Sequence, residues 1–529
     1  MKKLISTRGK VLSRLTLNGG YLILTILLCC LLTAVVQACP ALFHSSHYAK
    51  VGVISGFFFL YFALFYYLKI KGRLTEDIIV YLMILFGVLL RCSYVIFSGL
   101  YDRQHDAGVY TGMGTAFVNP GHIGYIEYIY KFHKLPDINP YELFAYYHPP
   151  LHHILSYLWL ALNIVLGVTE TLAFENLQIL TLLYSCLCMV VTYRILKVMG
   201  GKGRGLYIGL AFMVFHPATI IMAGSVNNDM LTTLFMCLIL LGSLKWIREK
   251  NLKNLIFLAL YIGFGMITKL NSAVLAIPLG LVFLLHFIGI CRSKVKSEIK
   301  LWVKNYVIFG VIVAPIGLSW IIRNLIRFGE KPGVPVPGAT SPMYTETFSL
   351  WERLGIPAFS SWHFSFPFHP ISAKAICNTW VIMFQTSLFA EEYPTDLPDI
   401  LLFLCQFTYV LAVLTGIATA ILLIVVLCKK ITGKEDSLFL LTGYLIMLLS
   451  FAAFVIIYPY TCSSDFRYVT ICLVYVAIAL MLGNRAFLDT PAGNVMPRKA
   501  ASVIMHCINF SIITLLVLIT VIYAFWGRW

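Results

Sequence analysis

Charge is what this chain has least of: Asp, Glu, Lys and Arg make up only 12% of its 529 residues. Soluble domains carry about a quarter, so a water-exposed globule is excluded. Metal-ligand spacing is missing too. No CxxC pair occurs among the 14 cysteines, and most of them (Cys29, Cys30, Cys92, Cys186, Cys188, Cys237) sit inside apolar runs. They read as small packing residues, which supports neither a zinc site nor a disulfide framework. A polar domain at either end, an internal repeat and a small-residue cleavage site after the first apolar run are likewise not seen. The basic start MKKLISTRGKVLSR is therefore expected to lead into an uncleaved anchor.

What is present is apolar. The hydrophobic share is 60% and the mean hydropathy is +0.85, the composition of an all-α polytopic membrane protein. The formal charge of +17 invites a nucleic-acid reading, but the basic residues form no single patch. They fall in short clusters between apolar runs, the distribution the positive-inside rule produces, and no nucleic acid is expected as a partner. Runs near the roughly 20 residues that a spanning helix needs occur at 17–38, 51–69, 76–98, 174–196, 205–222, 229–246, 253–268, 271–290, 303–322, 400–427, 437–458, 467–484 and 503–525.

A further run, 150–167, is settled by parity. With the N-terminus inside, Lys69, Lys71 and Arg73 return inside, the loop after residue 98 lies outside, and Arg194, Lys197, Lys202 and Arg204 must be inside again. One crossing separates the last two, so 150–167 is expected to lie along the outer interface. The expectation is about thirteen spans with juxtamembrane helices in the first large outer loop. The chain divides into two extra N-terminal helices (1–75), a module at 76–322 containing the outer loop 99–173, a second outer loop at 323–399, and C-terminal helices at 400–529.

The polar residues then gather on one side. Residues 101–153 hold Asp102, Asp106, Glu127, Asp137 and Glu142 with six histidines, including His122, His148, His152 and His153. Asp102, Asp106, His216, Asp229, Lys269, Arg323 and Arg467 are all expected at the outer mouth. Such a set suits transfer from a lipid phosphate. A phosphate leaving group needs cations against it, not a general acid, and an acceptor hydroxyl needs a carboxylate base.

Ordinary alternatives stand beside each residue. Asp102 and Asp106 could be solvated loop carboxylates, and Asp229 a helix cap. His148 could shape a helix start before Pro149 and Pro150, and adjacent His152 and His153 point to different helix faces. Lys269, Arg323 and Arg467 could be interfacial anchors, with Arg91 snorkelling likewise. Trp351 and Trp380 suit an interfacial belt.

Several motifs resemble a known family. HDAGVY (His105–Tyr110), HPPL (His148–Leu151), Asn227-Asn228-Asp229, Thr268-Lys269, Arg323-Asn324 and Phe466-Arg467-Tyr468 occur in the order seen in GT-C glycosyltransferases, and look most like the protein O-mannosyltransferase and aminoarabinose-transferase group. The resemblance runs over roughly 76–484. It implies a GT-C-like fold and a hexosyl- or pentosyltransferase drawing on a polyprenyl-phosphate sugar. The acceptor would be a lipid, a protein or an envelope polymer, reached from the extracytoplasmic side of a plasma or ER membrane.

It also implies Asp106 as base and Asp229 as a second acidic residue near acceptor or metal, with Tyr110, His148, His216, Lys269, Arg323 and Arg467 toward substrate. A divalent metal ion is left open. Ala107 stands where the family often has a second carboxylate, so Asp102 remains a rival to Asp106. The competing function is a transporter or flippase of a lipid-linked saccharide, which would place its charges near mid-membrane on broken helices. A scaffold is the third class, and it would not need the converging charges.

Overall fold

The computed structural model describes residues 2–39, 47–101, 108–333, 340–357, 366–370, 372–391, 394, 397–429, 431–489 and 496–526, so Asp102 and Asp106 lie outside them. Among the described residues the regular elements are helices, with one isolated bridge between Tyr344 and Tyr460.

Among the described residues ten helices are long and apolar enough to cross a bilayer: Gly20–Ala38, Tyr48–Ile70, Glu76–Phe97, Glu170–Val198, Asp229–Arg248, Leu270–Ser293, Lys296–Phe328, Asp399–Cys428, Lys434–Ile457 and Lys499–Ala524. An eleventh results if Thr461–Val469 and Cys472–Phe487, bent by 47°, form one span. Two of the thirteen expected runs are broken into shorter helices. Gly203–Phe215 ends where Pro217 can no longer donate an N–H. Leu252–Met266 stops before Thr268 and Lys269. At 13 and 15 residues these rise about 20 Å, yet the chain from Lys250, at the far end of Asp229–Arg248, still returns to Lys269 beside Asp229. The run at 150–167 forms the helix Leu151–Val165, also shorter than a span.

The two N-terminal helices are not alike. Leu22, Ile26, Cys30 and Ala34 of the first belong to the main core, and Ala34 and Val95 accept side-chain hydrogen bonds from Asn176 and Gln37. The second, Tyr48–Ile70, has none of its spanning window buried, against 83% for Asp229–Arg248. The first is thus part of the module; only the second is peripheral.

Above the bundle lies a thin layer. Helices Gly121–Phe132 and Leu151–Val165 pack on each other. Buried Glu127 holds their loop by accepting from the N–H groups of Thr111 and Gly112 and from Asn119, while pairing with Lys131 at 3.0 Å. Tyr110 stacks on Phe174 with centroids 4.1 Å apart. The second outer loop is tied down by Thr345 N–H to Pro459 O and Thr461 N–H to Met343 O.

Candidate active site

Three chain breaks meet beneath that layer, and hydrogen bonds lace them together. The N–H of Leu151, just after His148-Pro149-Pro150, donates to Ile267 O at 3.2 Å. Asn228 Nδ2 donates to Thr268 O at 3.1 Å. Trp320 Nε1 points to Tyr147 O at 3.4 Å. The interrupted helices leave backbone groups that must find partners, and pairing across the breaks fixes 147–151, 227–229 and 267–269 against one another.

Asp229 opens the helix Asp229–Arg248, where an acidic side chain is favoured by the helix dipole. It is not spent as a cap: Asn227 Oδ1 accepts the Asp229 N–H at 3.0 Å. Its carboxylate therefore faces two cations. Lys269 Nζ pairs with Oδ1, and Arg467 Nε lies 4.0 Å from Oδ2. Both cations lean on one ring, Lys269 Nζ at 4.8 Å and the Arg467 guanidinium at 5.2 Å from the centroid of Tyr468. Arg467 is aimed by a short 3-10 turn, whose start Asp465 caps by accepting the Arg467 N–H at 2.7 Å. Two cations thus share the Asp229 carboxylate.

The cluster lines a cavity of about 520 Å³. Its polar end holds Asp229, Lys269, Arg467, His148, His122 and Tyr460. Met447, Phe451, Phe454 and Ile457 of the helix Lys434–Ile457 form an apolar wall. The His148 imidazole is held well below its ordinary pKa, first by desolvation and then by Lys269 and the neighbouring His122 and Arg467. It is neutral at pH 7.

Of the residues singled out above, Asp229, Lys269, Arg467 and His148 share this cavity. Three do not line it. His216 lies behind the wall in a separate 100 Å³ cavity, its ring 5.8 Å from that of Phe466. Arg323 is turned to Pro136 O, Asn324 and the Trp320 and Phe328 rings. Tyr110 belongs to the small apolar cluster of the outer layer. Arg91 does not snorkel: it is fully buried among carbonyls and hydroxyls. The residue the sequence reading passed over is His122, which lines the cavity beside His148; its sole signal was one more histidine in a histidine-rich loop.

Asp102 and Asp106 stand outside the described residues, but the chain resumes at Gly108 beside the site. Gly108 has φ +71°, and a Cβ there would meet Pro120 O at 2.2 Å. Only glycine fits so close to the residues preceding His122. Among the described residues no group of three or more His, Cys, Asp and Glu could hold a metal ion. The Asp229 oxygens face Lys269 and Arg467.

Residues 148–320 match the family described as dolichyl-phosphate-mannose-protein mannosyltransferase. No curated protein sequence matches the chain. Among solved structures, ArnT from Cupriavidus metallidurans bound to undecaprenyl phosphate is similar at 14% identity and a TM-score of 0.35, over 84% of this chain and 78% of that one. Over residues 148–320, which include His148, Asp229 and Lys269, the chain is similar to the mannosyltransferases of the GT-C glycosyltransferase superfamily.

Proposed function

We propose that this protein moves a sugar from a polyprenyl-phosphate donor to an acceptor hydroxyl on the extracytoplasmic face of its membrane. The observation that carries this is the Asp229–Lys269–Arg467 cluster at the polar end of a cavity with an apolar wall. The description of the matching family also names a polyprenyl-phosphate sugar. The acceptor oxygen attacks the anomeric carbon while a carboxylate takes its proton. The bond from that carbon to the phosphate oxygen breaks, and its electron pair leaves with the lipid phosphate.

Lys269 and Arg467 stabilise that leaving group, and Asp229 holds both cations in position. Met447, Phe451, Phe454 and Ile457 receive the start of the lipid tail. The base is Asp106, two residues before Gly108 in the sequence; Asp102 is the rival. The helix Asp229–Arg248 supports the extracytoplasmic side of this reading. Its 20 residues span about 30 Å. Its far end carries Arg248 and Lys250, paired with Asp436 and Glu435, and Lys and Arg are commoner on the cytoplasmic side of a membrane.

The test is donor consumption by membranes offered a panel of radiolabelled polyprenyl-phosphate sugars. Asp106→Asn should lower transfer by about 10²-fold or more, with the protein still folded. If Asp106→Asn transfers normally while Asp102→Asn does not, the base is Asp102. If both are normal, neither is the base. A panel in which no donor is consumed ends the transferase reading.

A further inference from the structure

Past Lys269 the chain takes one short 3-10 turn, Leu270–Leu275, before the helix Ala276–Ser293 begins. Two bonds fix its start: the Lys269 N–H donates to Gly265 O at 2.9 Å, and the Ser272 N–H to Lys269 O at 3.1 Å. With three residues per turn, side chains at i and i+3 lie one above the other. Asn271 and Val274 are such a pair, and both line the cavity. Ser272 and Leu275 form the buried side of the turn. Ser272 packs against Gly265, where a Cβ would meet its Oγ at 2.8 Å.

Val274 suits an apolar wall, and Asn271 does not. It is the second residue of the span Leu270–Ser293, where a carboxamide is costly unless something bonds it. Among the described residues nothing does: its Oδ1 is shielded and accepts no hydrogen bond, and its Nδ2 donates none. Asparagines elsewhere in the bundle are bonded to the protein. Asn484 and Asn509 exchange two hydrogen bonds at 3.0 and 2.8 Å, and Asn176 Nδ2 donates to Asn163 Oδ1 at 2.9 Å. Nor is Asn271 the cap of its own turn, a place that Lys269 takes. Two residues separate Cα atoms by at most about 7 Å, so Asn271 and Lys269 can both reach one head group.

We propose that Asn271 is a donor-binding residue of this site, its Nδ2 donating a hydrogen bond to an oxygen of the phosphosugar head that Lys269 meets. The oxygen is either the phosphate's or a sugar hydroxyl's. A neutral carboxamide adds a directional donor there without adding charge to the Asp229–Lys269–Arg467 cluster. This assignment rests on the glycosyl-transfer reading above and adds to it a residue which that reading does not use.

The experiment measures binding of polyprenyl-phosphate sugars and of bare polyprenyl phosphate to the full chain in nanodiscs. Donor turnover and the thermal midpoint of the unliganded protein are read alongside. Variants are Asn271→Leu, Asn271→Asp and Asn271→Gln. Asn271→Leu weakens the best-bound sugar donor by about 5- to 10-fold, the worth of one hydrogen bond. Its thermal midpoint is expected to rise, because an unbonded carboxamide has left the wall; a merely structural asparagine would give the opposite shift. Asn271→Gln, which keeps the donor on a longer stem, recovers part of the affinity.

If the oxygen is the phosphate's, bare polyprenyl phosphate weakens along with the sugar donor. Asn271→Asp, which sets a negative charge in place of the donor, then binds both more weakly than Asn271→Leu. If the oxygen is a sugar hydroxyl's, Asn271→Leu leaves bare polyprenyl phosphate within about 2-fold. The proposal is overturned if Asn271→Leu binds both ligands as wild type does. It is equally overturned if affinity falls only together with the thermal midpoint, since that reports a damaged wall. A chain whose sugar-donor affinity depends on Asn271 but which consumes no donor rejects the transferase reading and leaves the contact standing. A wild-type chain that binds neither ligand rejects both.

Discussion

Arg91 and the Lys269–Arg467 pair are both buried cations in one bundle, and the protein treats them in opposite ways. Arg91 lies within a membrane helix, fully shielded, and meets no carboxylate among the described residues. Its guanidinium donates to Ser185 Oγ, Gly87 O, Val214 O and Thr219 Oγ1 at 2.7–3.0 Å, with Met213 O at 3.5 Å. Two of those carbonyls, Met213 and Val214, lie in the last turn before Pro217, where helical N–H partners run out. Arg91 thus replaces missing backbone donors and is saturated in doing so. Lys269 and Arg467 instead share the Asp229 carboxylate and line a cavity. A buried cation enclosed by carbonyls and hydroxyls holds a fold together; one that lines a cavity can meet what enters it.

The strongest way to break this comparison is to remove one of the cavity-lining charges. Lys269→Met should lower donor turnover by about 10²–10³-fold, or roughly 3–4 kcal/mol of transition-state stabilisation. Lys269→Arg should recover only part of it, because a planar fork replaces a point charge. Radiolabelled donor turnover per folded molecule is the readout. Full activity in Lys269→Met would mean the cluster is structural, as Arg91 is.

The converse change is expected to be smaller and of another kind. Arg91→Met removes the charge but leaves carbonyls and hydroxyls buried with no donor. The cost is about 3 kcal/mol of stability if two or three of them go unsatisfied. Thermal denaturation in detergent should show a lower midpoint, while turnover per folded molecule stays within about 2-fold of wild type. A large loss of turnover with unchanged stability would erase the distinction between the two cation sites.

The sequence made depth legible, but not rotation. Hydropathy places Asp229, Lys269, Arg323, Arg467 and His216 at one end of their helices, and the structure does gather Asp229, Lys269 and Arg467. It turns Arg323 and His216 elsewhere, because helices apolar all round carry no periodic signal of which face looks inward. Arg323 swings to the Pro136 carbonyl, and His216 lies behind Phe466. The same blindness hid His122, whose place depends on tertiary stacking with His148 and His153. Parity singled out the stretch that became Leu151–Val165. Counting apolar residues did not show that the runs 205–222 and 253–268 are broken, one at a proline and one at a Thr-Lys pair.

The outer-layer histidines give the comparison its third case and its smallest effect. An arginine cannot shed its proton and must be satisfied; a histidine can shed it. His152 is fully shielded, and burial, then His122, lowers its pKa to about 3. His153 is lowered in the same way. Both are neutral in the folded protein but would titrate near 6.5 once the layer opens. The opened state therefore binds more protons below that pH, so stability is present above about 6.5 and is lost as pH falls. Between pH 6.5 and 5.5 the two together should cost about 2 kcal/mol. Hydrogen exchange of the 121–165 backbone should accelerate over this interval beyond the intrinsic pH effect, while in a His152→Phe, His153→Phe double variant it should not. Replacing His152 with Phe should remove about half of that acid sensitivity, since an apolar ring binds no proton in either state.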